Sequence, residues 1–291
     1  MCCAPGSSAG YCSAMPLPPP GPDAHVLVTG ASSGIGAAIA RSLATRGYPV
    51  LLVARRADAL AELAGELRGL SGLTAEVHAA DLGTDDGLAT IREIVLGDAR
   101  LAGLVNAAGS GVTGRVADLA DDPDRRAALD GLVRLNVLAL HDLTVAALAA
   151  FTPRVQRGGH AAAILNVSSI TAFQPLPGTA SYAASKAFVQ SFSEAVHTEL
   201  AGTGITLTTL SPGLTRTGFA DAAGTDAFDE APDLVVGEAA DVAEAGVAAM
   251  AAGNRTVTPG LVNQLSALGG RLAPRSLLLP AIDRAMDAFG S

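Results

Sequence analysis

His25-Val26-Leu27-Val28-Thr29-Gly30-Ala31-Ser32-Ser33-Gly34-Ile35-Gly36 joins an apolar run of strand length, a glycine-rich turn and the opening of a helix. In that arrangement the free backbone N–H groups at the helix start and the helix dipole receive an anion such as a pyrophosphate. Glycine serves where the chain turns tightly, where a side chain would block the phosphate, and where helix and strand approach closely. The spacing is G-x-x-x-G-x-G and departs from the widespread G-x-G-x-x-G. A glycine-rich turn alone is weak evidence; its place between a strand and a helix is what gives this one weight.

Outward from this turn, apolar runs of strand length recur at 25–29, 49–54, 74–80, 102–106, 161–167 and 205–211. Between them helical periodicity covers 35–47, 57–69, 84–97, 124–151 and 179–202. Near-continuous apolar strands alternating with helices predict an α/β fold, a doubly wound parallel sheet with helices on both faces and ligands beyond the carboxyl ends of the strands. A helix over about 238–252 and a last strand near 255–258 follow. Residues 261–291 have helical periodicity broken at Pro274 and read as a C-terminal helical extension. Residues 1–24, rich in Pro, Gly, Ser and Cys, read as a disordered tail before one domain over 25–291.

Tyr182-Ala183-Ala184-Ser185-Lys186 contains the only lysine in the chain and one of its three tyrosines. Four residues make about one helical turn, so phenol and ammonium project from the same face. An ammonium on a flexible stem has a movable pKa that a guanidinium lacks, which suggests a task no arginine performs. A surface Tyr-Lys pair on an amphipathic helix is the competing reading.

At 291 residues and 49% hydrophobic content the chain can bury a large core, and its net charge of -9 argues against nucleic acid as a partner. No sequence run reaches the roughly 18–20 apolar residues of a membrane span. The tail lacks the features of a secretory signal, so a cytoplasmic location is expected. Cys2, Cys3 and Cys12 lie in it without a second ligand pair, His25, His78, His141, His160 and His197 form no ligand pair, and Glu194-x-x-His197 occurs once, so no metal is expected.

Further segments recur in order along residues 25–220, and together they resemble a short-chain dehydrogenase/reductase of the short, single-domain branch, which carries a Rossmann fold. Thr29 to Gly36 is similar to that family's T-G-x-x-x-G-x-G turn, Ala80-Asp81-Leu82 to its acidic position at the adenine, and Asn106-Ala107-Ala108-Gly109 to its N-[NA]-A-G segment. Leu135-Asn136-Val137 resembles the mid-helix asparagine and Asn166-Val167-Ser168-Ser169 brings the serine. Ser169 is chosen over Ser168 because it stands thirteen residues before Tyr182, as the family has it. Pro212-Gly213, with Leu214 and Thr217, resembles the segment that closes over the nicotinamide.

The resemblance implies catalytic Asn136, Ser169, Tyr182 and Lys186. It also implies a dinucleotide held by Gly30, Ser32, Ser33, Gly34, Ile35, Gly36, Asp81, Leu82, Asn106, Ala107, Ala108, Gly109, Tyr182, Lys186, Pro212, Gly213, Leu214 and Thr217. Carbonyl reduction needs a proton at oxygen, and a phenol with pKa near 10 becomes a better shuttle beside a positive charge. Ser169 would hold the substrate oxygen and Asn136 would join a water path to Lys186; a structural hydrogen bond is the plainer role for Asn136. At the end of the second strand Ala54 stands where an Asp would bind the ribose hydroxyl, and Arg55 follows. Arg55, helped by Arg56 and Ser33, is therefore expected to hold the 2'-phosphate of NADP (NADPH), a solvated arginine pair being the alternative.

Residues 213–236 read as a mobile lid, and their acids Asp221, Asp226, Asp229, Glu230 and Asp233 argue against a polyanionic substrate. Apolar positions on the two longest helices, Leu138, Val145, Phe188 and Phe192 among them, imply by the resemblance a homodimer. The extension is expected to prevent a tetramer, with Leu272, Leu277, Leu278, Leu279 and Ile282 covering a protein surface or meeting a membrane. The functional expectation is an NADPH-dependent reductase of a small-molecule carbonyl, or the reverse alcohol oxidation. A 3-oxoacyl reductase and a non-catalytic dinucleotide-binding sensor or scaffold are the alternatives.

Overall fold

The computed structural model describes residues 17–217 and 236–289. Its elements follow the expected alternation: β1 (His25–Thr29), α1 (Gly34–Thr45), β2 (Val50–Ala54), α2 (Ala57–Ser71), β3 (Ala75–Ala79), α3 (Asp85–Gly97), β4 (Leu101–Asn106), α4 (Val116–Ala120) and α5 (Pro123–Val133). Then come α6 (Leu140–Gln156), β5 (Ala162–Val167), α7 (Ala180–Glu199), β6 (Ile205–Leu210), β7 (Thr215–Arg216) and β8 (Gly237–Glu238). The chain finishes with α8 (Ala239–Ala252), β9 (Thr256–Val257), α9 (Leu261–Leu272) and α10 (Arg275–Phe289).

Seven parallel strands run in the order β3-β2-β1-β4-β5-β6-β9. Neighbouring β1 and β4 begin the two halves of the winding, so the crevice at their carboxyl ends is the switch point where such sheets bind ligands. Side chains alternate across each strand. Val26 and Val28 of β1 join Leu43 of α1, Leu63 of α2 and Val247 of α8 in one buried cluster. Leu27 faces the other way, with Ile91 of α3, Phe151 of α6 and Val196 of α7.

Register brings polar residues into one row at the carboxyl edge: Thr29 pairs with Asn106, Asn106 with Asn166, Asn166 with Thr209 and Thr209 with Thr256. The other members of this row find partners inside the apolar layers, while the buried Thr209 hydroxyl has none among the described residues. Asn106 donates to Asn166 at 2.9 Å and to Thr144 at 3.1 Å, and Asn166 donates to Ser193 at 3.0 Å.

Several sequence expectations change. Residues 17–24, read as tail, pack on the domain: Leu17 is buried and the Tyr48 hydroxyl donates to the Pro18 carbonyl at 2.9 Å. Pro18 and Ala24 are buried beside Leu17, so the stretch docks although its composition looks disordered; residues 1–16 lie outside the described residues. The long helix expected over 124–151 is two helices joined through a π-helical turn, Arg134–Ala139, which carries Asn136. The joined run from Pro123 to Gln156 reaches the length and apolarity of a membrane span, although no sequence run was expected to. Leu143, Ala147 and Phe151 of that run are buried against the sheet, the position of a core helix.

β7, inside the stretch read as a lid, pairs with β8 just beyond its end as a small parallel sheet, and residues 218–235 with their five acids lie outside the described residues. The extension also differs. Leu272 and Leu277 face solvent, and α9 docks by its small residues Ala267 and Gly270.

Candidate active site

Thr29 ends β1 and acts as a hub for the turn that follows. Its hydroxyl donates to the Val105 carbonyl at 3.3 Å and accepts from the N–H groups of Ala107 and Ala108 at 3.0 and 3.1 Å. The segment Asn106 to Gly109 is thereby fastened beside the glycine-rich turn. Gly30 has φ +68°, and a Cβ there would lie 2.8 Å from the Ala108 backbone. A Cβ at Gly36 would lie 2.3 Å from the Gly30 carbonyl oxygen. These close approaches leave backbone, with no side chain, at the mouth of the crevice.

Ser33, the N-cap of α1, makes no side-chain capping bond. Its hydroxyl and the N–H groups of Gly34, Ile35 and Gly36 in the first turn are therefore donors suited to an anionic group. The dinucleotide expectation meets a cradle of the right kind.

At the end of β2, Arg55 and Arg56 are both exposed, and Arg56 reaches back to Ser32, donating to its carbonyl at 3.1 Å and its hydroxyl at 3.3 Å. Arg55 projects without an ion pair among the described residues. Beyond β3, Asp81 accepts from the Gly83 N–H at 2.9 Å while Leu82 is buried. Pro212 accepts from the Ile170 N–H at 2.9 Å, and Leu214 accepts from the Gly237 N–H at 2.8 Å. Thr217 comes within 3.1 Å of the position a Cβ on Gly34 would take. The Pro212–Thr217 segment thus crosses from the Ser169 loop to the glycine-rich turn.

The four expected catalytic residues gather at the carboxyl ends of β4 and β5. α7 places Tyr182 and Lys186 one turn apart, with the ammonium 5.7 Å from the centre of the Tyr182 ring. Lys186 is buried and donates to the Val167 carbonyl at 3.0 Å. Burial without a carboxylate partner pulls its pKa down to about 8. Burial pushes Tyr182 up to about 12, opposed by a hydrogen bond from the Ser169 side chain. Desolvation is the larger of these two influences on Tyr182.

The two serines divide their work. Ser168 donates to the Lys186 carbonyl at 2.9 Å and anchors α7 to β5, leaving Ser169 as the one that meets Tyr182. Asn136 accepts from the Ser110 N–H at 2.9 Å and donates to the Ser110 carbonyl at 2.9 Å and to Ser185 at 3.1 Å. It therefore clasps the loop after β4 to α7, the plainer of its two readings. A Cβ on Gly109 would lie 3.3 Å from Asn136 Oδ1 and 3.5 Å from Lys186 Nζ, so glycine there leaves room for both.

Sequence reasoning missed Thr29 as a hub, although it heads the turn motif. It also missed Asn263, whose side chain lies against Gly213, 2.2 Å from where a Cβ would stand. No sequence signal marks that contact. Among the described residues no group of three or more His, Cys, Asp or Glu gathers as a metal site would require.

A sulfoacetaldehyde reductase of Chromohalobacter salexigens is 36% identical over 228 residues, covering 75% of this chain and 85% of that relative. A short-chain dehydrogenase from Sphingobium yanoikuyae, solved in complex with NADPH, superposes with a TM-score of 0.72 at 34% identity, covering 84% of this chain and 92% of the other. The bulky-bulky ketone specific alcohol dehydrogenase from Comamonas testosteroni gives 0.70 at 29% identity, with 87% and 98% covered. The model of the short chain dehydrogenase family matches residues 24–227, and with these relatives it establishes that the chain belongs to that family of oxidoreductases.

Proposed function

We propose that the protein is an NADPH-dependent carbonyl reductase in which Tyr182 is the proton donor. The observation that carries this reading is the half-buried Tyr182 phenol, bonded by Ser169 and set one turn from the sole lysine. A phenol pushed up to about 12 holds its proton at neutral pH, which suits donation to a carbonyl oxygen as negative charge develops there. Ser169 positions that oxygen and donates toward it. The Lys186 ammonium offsets the phenolate left behind, and its pKa of about 8 lets it return a proton near neutrality. When bound, the nicotinamide supplies the hydride.

The glycine-rich turn from Gly30 to Gly36 is the proposed seat of the pyrophosphate, and Pro212, Gly213, Leu214 and Thr217 the cover of the nicotinamide end. Arg55 is the proposed ligand of the 2'-phosphate, with Arg56 shaping Ser32 beside it. The NADPH in the Sphingobium structure supports this choice. The chain is proposed to act as a homodimer through the α6 and α7 faces, where Leu138, Val145 and Phe188 are exposed and Phe188 stacks on Phe192 with ring centres 5.6 Å apart.

The deciding experiment follows NADPH absorbance with sulfoacetaldehyde, a bulky aryl ketone, ethyl acetoacetate and an acetoacetyl thioester. Turnover of at least one, lost in Tyr182→Phe and lowered by about 100-fold or more in Lys186→Arg, is the expected result. A Lys186→Arg variant within a few-fold of wild type would show that the sole lysine has no special task. Exclusive turnover of the thioester would assign 3-oxoacyl reduction. NADPH binding with no turnover of any of the four would favour the sensor reading.

A further inference from the structure

The C-terminal extension touches each of the loops that leave β4, β5 and β6 beside the proposed catalytic residues. After β6, Asn263 lies on Gly213, held there by its own bond to the Pro259 carbonyl at 2.7 Å. After β5, the loop that begins at Ser169 turns through Ile170–Phe173, and α9 sits on it: a Cβ on Gly270 would lie 2.9 Å from Gln174 Oε1 and 3.1 Å from the Phe173 carbonyl oxygen. The Arg271 guanidinium stacks 4.4 Å from the Phe173 ring centre and pairs with Glu194 of α7 at 3.3 Å. Arg275 donates to the Phe173 carbonyl at 3.3 Å. After β4, Asp283 of α10 pairs with Arg115 at 3.1 Å.

The way α9 docks makes these polar pins matter. Its buried face consists of Ala267 and Gly270, while Leu261, Leu265, Leu268 and Leu272 face solvent on the opposite side. Little apolar area is removed from water at the contact, so burial alone holds the helix weakly. Arg271 is the pin with two partners, and they belong to different parts of the site. Phe173 lies four residues after Ser169, and Glu194 is on the helix that carries Tyr182 and Lys186.

We propose that Arg271 is a positioning residue of the active site, holding the Ser169 turn against α7, and that the extension acts through it as a clamp on the strand-end loops. The inference rests on the reductase reading for its catalytic consequence. A shift of about 1 Å in Ser169 relative to Tyr182 is enough to cost roughly 100-fold in turnover.

The test uses the full chain, with Arg271→Ala, Arg271→Lys and, as a control on the same extension, Arg284→Ala. Hydrogen exchange by mass spectrometry follows the amides of 170–174, two of which donate to Pro212 and Ser169 carbonyls, against those of 25–36. NADPH affinity is followed by fluorescence, and kcat and KM with ethyl acetoacetate. Arg271→Ala should speed exchange at 170–174 by about 10-fold and lower kcat by about 10- to 100-fold, with NADPH Kd within twofold and 25–36 unchanged. Arg271→Lys, which keeps a cation over the ring, should recover most of both, and Arg284→Ala should behave as wild type. Unchanged exchange at 170–174 in Arg271→Ala overturns the proposal, as does loosening spread equally over 25–36. A wild-type chain inactive on ketones counts against the reductase reading, and exchange at 170–174 still decides the clamp.

Discussion

Replacing Lys186 by Met should make the protein less able to catalyse and alter how its stability depends on pH, by an amount the structure sets. Lys186 is buried, its Nζ bonded only to the Val167 carbonyl at 3.0 Å among the interactions described, and burial pulls it down from its ordinary 10.5 to about 8. Below pH 8 the lysine is protonated whether folded or unfolded, and the fold bears the full penalty of holding that charge, roughly 3 kcal/mol at about 1.4 kcal/mol per pH unit. Between pH 8 and 10.5 the folded lysine loses its proton while the unfolded one keeps it, so stability rises with pH. About 2 kcal/mol is recovered between pH 7 and 9.5. Tyr182, pushed up to about 12 from 10.0, contributes with the opposite sign only above that window.

Lys186→Met keeps much of the volume and removes the titration, at the cost of about 1–3 kcal/mol for the unpartnered carbonyl. The difference in unfolding free energy, wild type minus variant, should therefore climb by about 2 kcal/mol from pH 7 to 9.5. Urea unfolding followed by far-UV circular dichroism, at one protein concentration and several pH values, measures it; the chain has no tryptophan to report by fluorescence. A difference flat within about 0.5 kcal/mol across that window would mean that the ammonium is solvated or paired, and the pKa argument for Lys186 would fall.

Ala54→Asp with Arg55→Gln should move cofactor preference from NADPH toward NADH; an unmoved ratio of kcat/KM values would place the 2'-phosphate elsewhere, with Arg56 and Ser32 the next to vary. Gly36→Ala should cost at least about 1–3 kcal/mol in urea unfolding, because its Cβ would lie 2.3 Å from a backbone oxygen that has no easy retreat. Wild-type stability in that variant would refute the close-approach argument. Light scattering should find a dimer that Val145→Glu with Phe188→Glu reduces to a monomer, both residues being exposed; a dimer that survives both changes uses another face. Removing residues after Gly260 should admit a tetramer, and a tetramer with the extension intact would refute the idea that residues 261–291 block that contact.

The sequence by itself determined the alternation of strands and helices, the turn from Gly30 to Gly36 and the Tyr182-Lys186 pair, because each is written in local terms. Strand and helix periods differ, glycine marks positions where a Cβ has no room, and one helical turn spans four residues whatever surrounds it. The break at Pro274 was legible for the same reason. The choice of Ser169 over Ser168 came from its spacing to Tyr182; only the tertiary structure shows what Ser168 does instead, bonding the Lys186 carbonyl as α7 packs opposite it. That structure also named the partners of Asn136, Ser110 among them, on a π-helical turn that no periodicity announced. The pKa of Lys186 depends on how many layers of chain exclude water from it, a quantity summed over distant segments. The docking of α9 was hidden most completely. Its leucines advertise a buried face, yet Gly270 and Ala267 make the contact, because close backbone approach to Phe173 depends on the shape of a loop about a hundred residues earlier.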